Sequence, residues 1–114
     1  MISDLTTETL RAGLAGLNAR RTAAEDAVAN METPGYIARR VSFEDQLDRA
    51  TRSGRPSTAR MEVSASTNEV MPNGNNVRVD EELVTLSETG LRQQLLVDAV
   101  NAKYRLMRTV IGNA

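Results

Sequence analysis

The chain has 114 residues and a mass of 12.4 kDa, enough for one small domain. Two Tyr and one Phe are its only aromatic residues, so a lone monomer has little material for a large core. Cys and His are both absent, which excludes disulfides, thiol or imidazole catalysis and the usual zinc sites. A net charge of −1 indicates no general affinity for nucleic acid. We therefore expect a helical, partner-dependent protein without a cofactor.

An amphipathic pattern predicts the first long helix over residues 3–32. Its apolar residues follow the 4–3 spacing of a coiled-coil seam, with Leu10, Leu14, Leu17 and Val28 as main positions. Ser3 or Asp4 is placed to cap its start. The helix ends at Thr33-Pro34-Gly35, because proline disfavours helix in the residue before it and glycine permits a sharp turn.

A second face of this helix repeats small residues, at Ala12, Gly16, Ala19 and Ala23. Small side chains let another helix approach closely, whereas alanine also favours helix without any contact. Glycine is a poor choice for helix propensity, so we favour a contact with a neighbouring subunit on this face.

The second long helix is predicted over residues 81–112. Acidic residues near its start and basic residues near its end match the helix dipole. Its seam positions follow a 3–4 spacing and are Leu83, Leu86, Val97, Val100, Tyr104, Met107 and Ile111. Further leucines widen this stripe, so the helix offers apolar surface to more than one partner.

The central segment, residues 33–80, is poor in large apolar residues. Its stretch Ser42-Phe43-Glu44-Asp45 resembles a capping box with Asp in place of Glu, and would start a short helix carrying Phe43 and Leu47. Residues 61–65 alternate like a strand, and Asn73-Gly74 suits a hairpin turn. Low hydrophobicity favours a mobile connector over that hairpin.

These elements predict a mainly α fold in a single domain, residues 1–114. The two terminal helices pair as an antiparallel coiled coil, and the mobile central segment has room for a short helix and a small β-hairpin. No apolar run reaches the ~18–20 residues of a membrane span, so no membrane insertion is expected.

Charge is unevenly spread along the central segment. Residues 37–60 hold six arginines against three carboxylates, and residues 61–82 hold five carboxylates against one arginine. Nucleic-acid binding would need aromatic stacking or a recognised fold, so we interpret the basic run as a solvated face. Opposite patches on one chain also suit head-to-tail association. The acidic residues Glu44, Asp45 and Asp48 lack the spacing of a calcium loop, and no metal site is predicted.

Two short motifs are more specific than the periodicity. The first, Ala29-Asn30-Met31-Glu32-Thr33-Pro34-Gly35-Tyr36, ends the first helix, and the second, Asn73-Gly74-Asn75-Asn76-Val77, precedes the second helix. Together they resemble the rod and hook family of the bacterial flagellum, whose members carry an Ala-Asn-x-x-Thr-Pro-Gly-Tyr signature after the N-terminal helix. The order of the motifs and the length of the chain agree with that resemblance.

The motif residues also have plain structural interpretations. Asn30 and Thr33 can satisfy the last carbonyls of the helix or the backbone groups of the turn. Asn75 and Asn76 suit either turn chemistry with a cap for the following helix or a contact between subunits, and the sequence leaves both open.

The resemblance implies a structural, non-enzymatic subunit that polymerises through its terminal helices in the torque-transmitting rod of the flagellar basal body. It implies three kinds of partner: other rod subunits, the basal-body ring or its adaptor protein, and the flagellar type III export apparatus. The location implied is the periplasmic rod. Export without a cleavable signal peptide is expected, because the first residues lack a basic start and an apolar stretch. The alternative is a cytosolic coiled-coil adaptor or regulator that dimerises through the same seams.

Overall fold

The computed structural model describes residues 4–112. Two long terminal helices flank a central segment that holds a short helix and two strands, so the predicted mainly helical fold is confirmed. In chain order the elements are α1 (Leu5–Ala29), β1 (Arg39–Ser42), α2 (Glu44–Arg52), a 3-10 turn (Pro56–Thr58), β2 (Glu62–Ala65) and α3 (Val79–Gly112). The molecule is elongated and measures 66 × 26 × 14 Å.

Side chains fix both ends of α1. Asp4 caps its start, because Asp4 Oδ1 accepts a hydrogen bond from the backbone N–H of Thr7 at 2.9 Å. Ser3, the other candidate cap, lies outside the described residues. At the other end, Asn30 Nδ2 donates to the carbonyl oxygen of Asp26 at 2.7 Å, which satisfies one of the last carbonyls of the helix.

The two terminal helices lie antiparallel and in contact. At one end of the pair, Lys103 Nζ donates to Asp4 Oδ1 at 2.6 Å. At the other end, Asn75 Nδ2 donates to the carbonyl oxygen of Asn30 at 2.9 Å. The helix α3 has 34 residues and α1 has 25, so α3 continues past Lys103 as an overhang of residues 104–112.

The central segment is folded onto α1, and the expectation of a mobile connector is wrong. Strands β1 and β2 pair antiparallel, with Val41 opposite Val63. The strand expected within residues 61–65 forms as β2, but it pairs across α2 with β1, and the Asn73-Gly74 turn does not join two strands as a hairpin would. A few buried side chains, Val41 and Phe43 above all, suffice to hold this polar segment in place.

The short helix α2 forms where the sequence predicted it, but Ser42 does not cap it. Phe43 occupies the N-cap position without a side-chain cap bond, and Ser42 belongs to β1, opposite Glu62. Glu44 Oε1 instead accepts from the backbone N–H of Phe43 at 3.3 Å. The side chain of Phe43 turns inward against α1, and this packing outweighs the local capping preference.

The core lies where the central segment covers α1, not along the full length of the terminal helices. One cluster of buried residues comprises Leu17, Ala23, Val41 and Phe43. A second comprises Ala27, Ala38 and Val77. Over residues 4–112, no helix is long and apolar enough to cross a membrane.

Candidate functional site

The two sequence motifs meet in space at the end of α1, and we call residues 30–36 and 73–77 the motif junction. The backbone N–H of Gly35 donates to the carbonyl oxygen of Asn73 at 2.9 Å. Gly35 and Gly74 have φ values of +78° and +83°, which side chains disfavour. A Cβ on Gly74 would lie 3.1 Å from Gly35 Cα. The chain can therefore turn and cross itself here only with glycine at these positions.

Asn75 ties the second motif to the end of α1. Its side chain is completely buried, at 0% exposure. Asn75 Nδ2 donates to the carbonyl oxygens of Asn30 and Thr33, both at 2.9 Å. Its Oδ1 accepts from the backbone N–H of Val77 at 2.7 Å. One side chain thus adds a second hydrogen bond to two carbonyls of the turn after α1, which already accept from the backbone N–H groups of Thr33 and Tyr36, and satisfies one N–H before α3.

Asn76 ties the junction to the central segment. Asn76 Oδ1 accepts from the backbone N–H of Ala38 at 2.8 Å. Its Nδ2 donates to the carbonyl oxygens of Ser66 and Asn68 at 3.2 and 3.3 Å. Every one of these partners belongs to the same chain. Of the two interpretations of Asn75 and Asn76, the geometry favours the first, in which their side chains hydrogen-bond to the backbone of turns within the subunit.

The remaining motif residues complete this junction. Thr33 Oγ1 donates to Asn30 Oδ1 at 3.1 Å, and Pro34 is exposed beside it. Tyr36 is half-buried against the second core cluster, to which the buried Val77 belongs.

A charged group next to the junction was not foreseen from the sequence. Glu82 on α3 is buried, at 1% exposure, and its Oε1 accepts from Arg40 on β1 at 2.7 Å. Arg40 also donates to Glu81 Oε2 at 3.1 Å, as does Asn68 Nδ2 at 2.8 Å. The pair joins the start of α3 to the sheet, because a buried carboxylate requires a charged partner. Arg40 and Glu82 lie far apart in the sequence, so no local pattern could reveal them.

The small-residue face of α1 is covered by the subunit's own central segment, and we call the contact between Gly16 and Phe43 the glycine notch. A Cβ on Gly16 would lie 2.4 Å from Phe43 Cγ. Ala23 is buried in the same cluster, and Ala19 packs against it. Ala12 is half-buried beside this face. The expected subunit contact is therefore replaced at Gly16 and Ala23 by packing within the chain.

Arg20 holds the Phe43 ring in the notch. Its guanidinium lies 4.9 Å from the ring centroid and donates to both oxygens of Glu44, at 2.6 and 2.7 Å. A further bond reaches the carbonyl oxygen of Val41 at 2.7 Å. The hydrogen bond from Arg20 lowers the pKa of the Glu44 carboxyl to about 2.

The predicted seam positions are buried to different degrees. On α1, Leu17 is buried, and Leu10, Leu14 and Val28 are half-buried. On α3, the half-buried positions are Leu86, Val100, Tyr104 and Met107, and the exposed ones are Leu83, Val97 and Ile111. The pairing of α1 with α3 thus buries only part of the predicted seam. The central segment covers a face of α1 in place of a helix.

A second apolar stripe on α3 is exposed, and we call it the outer stripe. It comprises Val84, Leu91, Leu95, Ala102 and Leu106, whose alternating spacings of seven and four residues place them on one face. Leu91, Leu95 and Leu106 are 65%, 59% and 65% exposed. Large apolar side chains exposed along one helix face are typical of a surface that another chain covers.

The acidic cluster and the arginines of the basic run other than Arg40 are surface features. Asp48 accepts from Arg52 Nε at 3.2 Å in an exposed pair one helical turn apart. Within residues 4–112, the structure groups no three acidic side chains in a way that would hold a metal ion.

A subunit whose terminal helices pair with each other and expose a further apolar stripe is typical of helical assemblies. No protein-family model matches the chain. The chain is 32% identical over 98 residues to the flagellar basal body rod protein FlgB of Bacillus subtilis (strain 168), and the match covers 74% of this chain and 75% of that relative. It is 23% identical over 105 residues to the flagellar basal body rod protein FlgB of Escherichia coli (strain K12), with 74% and 76% covered.

The chain therefore belongs to the family of the flagellar basal body rod protein FlgB. The predicted resemblance and the prediction of a structural, non-enzymatic rod subunit are confirmed. Membership in this family leaves the alternative of a coiled-coil adaptor without support.

Proposed function

We propose that the chain is a subunit of the proximal rod that polymerises through the exposed apolar surface of its terminal helices. The outer stripe is the observation that carries this proposal. Its 11-residue repeat keeps these side chains on one face of α3, where a helix of another subunit can pack, since α1 already occupies a different face of α3. The motif junction serves this role indirectly, because it joins the end of α1 to the residues that precede α3.

The partners and route that the family resemblance implies are part of the same proposal. Other rod subunits cover the outer stripe, and the basal-body ring or its adaptor contacts the assembled rod. The subunit reaches the periplasm through the flagellar type III export apparatus without a cleavable signal peptide. Assembled in the rod, the paired helices transmit torque as a mechanical element.

Two leucines of the outer stripe provide the test. In the double variant Leu91→Gln, Leu106→Gln, we expect the subunit to fold normally, because both side chains are 65% exposed in the free chain. We expect this variant to be missing from basal bodies purified from cells that carry no other copy, and the cells to be non-motile. The matched control is Ser87→Gln, Asn101→Gln, which changes two exposed polar positions of α3. Basal bodies that contain the leucine variant at the control level would refute the proposal.

A further inference from the structure

Asn73 is the only asparagine of the chain that is followed by glycine. Such a pair can rearrange without an enzyme, because glycine has no side chain to hinder attack by its backbone nitrogen on the preceding side chain. The side chain of Asn73 is exposed, so solvent has access to it. The pair lies in the motif junction, in the turn that runs from Met71 to Gly74.

The rearrangement consumes water and no other reactant. The backbone nitrogen of Gly74 loses its proton and attacks Cγ of Asn73, a C–N bond forms, and the side-chain nitrogen leaves as ammonia. The product is a five-membered succinimide ring. One water molecule then opens this ring at either carbonyl. One opening gives aspartate, and the other gives isoaspartate, whose main chain runs through Cβ and Cγ. No atom is oxidised or reduced.

The folded turn holds Asn73 in a conformation that does not allow this ring to close. The backbone N–H of Gly74 donates to the carbonyl oxygen of Met71 at 2.8 Å, and Asn73 has a negative φ, so the turn is of type I. The third residue of such a turn has a ψ of about 0°, which eclipses the nitrogen of Gly74 with the backbone nitrogen of Asn73. Ring closure requires the nitrogen of Gly74 to eclipse Cβ of Asn73 instead. The peptide plane between the two residues must therefore rotate.

Hydrogen bonds within the junction resist that rotation. The peptide plane carries the carbonyl oxygen of Asn73, which accepts from the backbone N–H of Gly35 at 2.9 Å. It also carries the N–H of Gly74 that donates to Met71. The side chain is held as well, since Asn73 Oδ1 accepts from the backbone N–H of Asn75 at 3.1 Å. Rotation of the plane breaks the first two bonds, so Asn73 can react only where the junction has opened.

We propose that Asn73 is a site of spontaneous deamidation that the closed motif junction protects and an open junction exposes. The isoaspartate product adds one carbon to the main chain between residues 73 and 74. The two motifs cross closely at this point, since a Cβ on Gly74 would lie 3.1 Å from Gly35 Cα. The longer main chain displaces the acceptor of the Gly35 N–H, and the junction no longer closes as before. The reaction therefore permanently marks chains whose junction stays open.

Two glycine variants test the proposal on the purified full chain. Gly35 and Gly54 both have a φ of +78° and open space where a Cβ would lie, so alanine strains the two backbones alike. Of the two, only Gly35 donates to Asn73. Opening of the junction relieves the strain at Gly35. We therefore expect Gly35→Ala to deamidate at Asn73 about tenfold faster than the wild type, and the matched control Gly54→Ala to react at the wild-type rate.

The rates are measured by peptide mapping with mass spectrometry, with isoaspartate separated from aspartate by chromatography. Circular dichroism confirms that both variants keep their helix content under the same conditions. In urea the junction is open in every molecule. We expect the wild type and both variants to react there at one common rate, at least about tenfold above that of the folded wild type at the same pH and temperature.

Two results would overturn the proposal. One is equal deamidation of Asn73 in the folded and the urea-unfolded wild type, because the junction would then give no protection. The other is an equal rate in folded Gly35→Ala and Gly54→Ala, because the bond from Gly35 would then not control the reaction. Neither result bears on the proposed rod function, which the leucine variant of the outer stripe tests separately.

Discussion

Replacing Gly16 by alanine should destabilise the subunit, although alanine is the better helix former. The added Cβ would lie 2.4, 2.5 and 2.6 Å from Cγ, Cδ2 and Cδ1 of Phe43. Favourable carbon contacts require about 3.5–4.0 Å, so the ring would have to move by about 1 Å. Arg20 and its bonds to Glu44 hold the ring in place, which limits that movement.

The expected loss follows from two opposing effects. Overpacking of this kind costs about 1–3 kcal/mol, and the severity of the overlap points to the upper end of that range. The change from glycine to alanine in a helix returns about 1 kcal/mol. We therefore expect Gly16→Ala to lower the free energy of unfolding by about 2 kcal/mol, measured by urea unfolding followed by circular dichroism.

Gly90 offers a matched control, because it is also helical but exposed, with open space where a Cβ would lie. Gly90→Ala should raise the free energy of unfolding by about 1 kcal/mol. In the background Phe43→Leu, the penalty of Gly16→Ala should shrink by more than about 1 kcal/mol, since the ring is the atom group that clashes. Equal stability of Gly16→Ala and Gly90→Ala, or a penalty unchanged by Phe43→Leu, would refute the reasoning.

Two further predictions concern polar groups. Asn75→Asp keeps the shape of a fully buried side chain but replaces its two N–H donors by an acceptor. Unfolding studies should therefore show that the free energy of unfolding falls by about 3 kcal/mol. The control Asn73→Asp should be nearly neutral, because Asn73 is exposed and only its side-chain oxygen takes part in a hydrogen bond. The pKa of Glu44 is about 2 in the folded subunit and 4.5 ordinarily, so its contribution to stability is present above pH 4.5 and is lost as pH falls toward 2. Arg20→Met should lose less stability over that pH interval than the wild type does; an identical pH dependence of unfolding in both proteins would contradict the assignment.

The terminal helices could be predicted from the sequence because their signals are local. Leucine spacing, the Asp4 cap and the Thr33-Pro34-Gly35 stop all act within a few residues, and α1 and α3 begin and end close to the expected positions. The motif residues were also recognisable, since a signature in the chain is itself a local pattern.

What the sequence did not reveal depends on contacts between distant residues. The two strands of the sheet are separated in the sequence by α2. Arg40 on β1 pairs with Glu82 on α3, which lies 42 residues further along the chain. The low hydrophobicity of the central segment predicted that it would not fold. One aromatic ring that packs against a glycine is nevertheless enough to anchor this polar segment. Gly16 was correctly singled out as unusual in a helix, and the wrong partner was assigned to it.

The buried motif junction and the exposed outer stripe have separate roles in the proposed assembly. Asn75 and Asn76 direct their hydrogen bonds to backbone atoms of their own chain, so the junction would form whichever subunit lay next to it. Hydrogen bonds to backbone atoms do not depend on which side chains the bonded residues carry. The junction therefore tolerates substitutions of those side chains. If the outer stripe contacts the neighbouring subunit as proposed, the choice of neighbour depends on exposed side chains of α3, such as Leu91 and Leu106, which lie outside the junction.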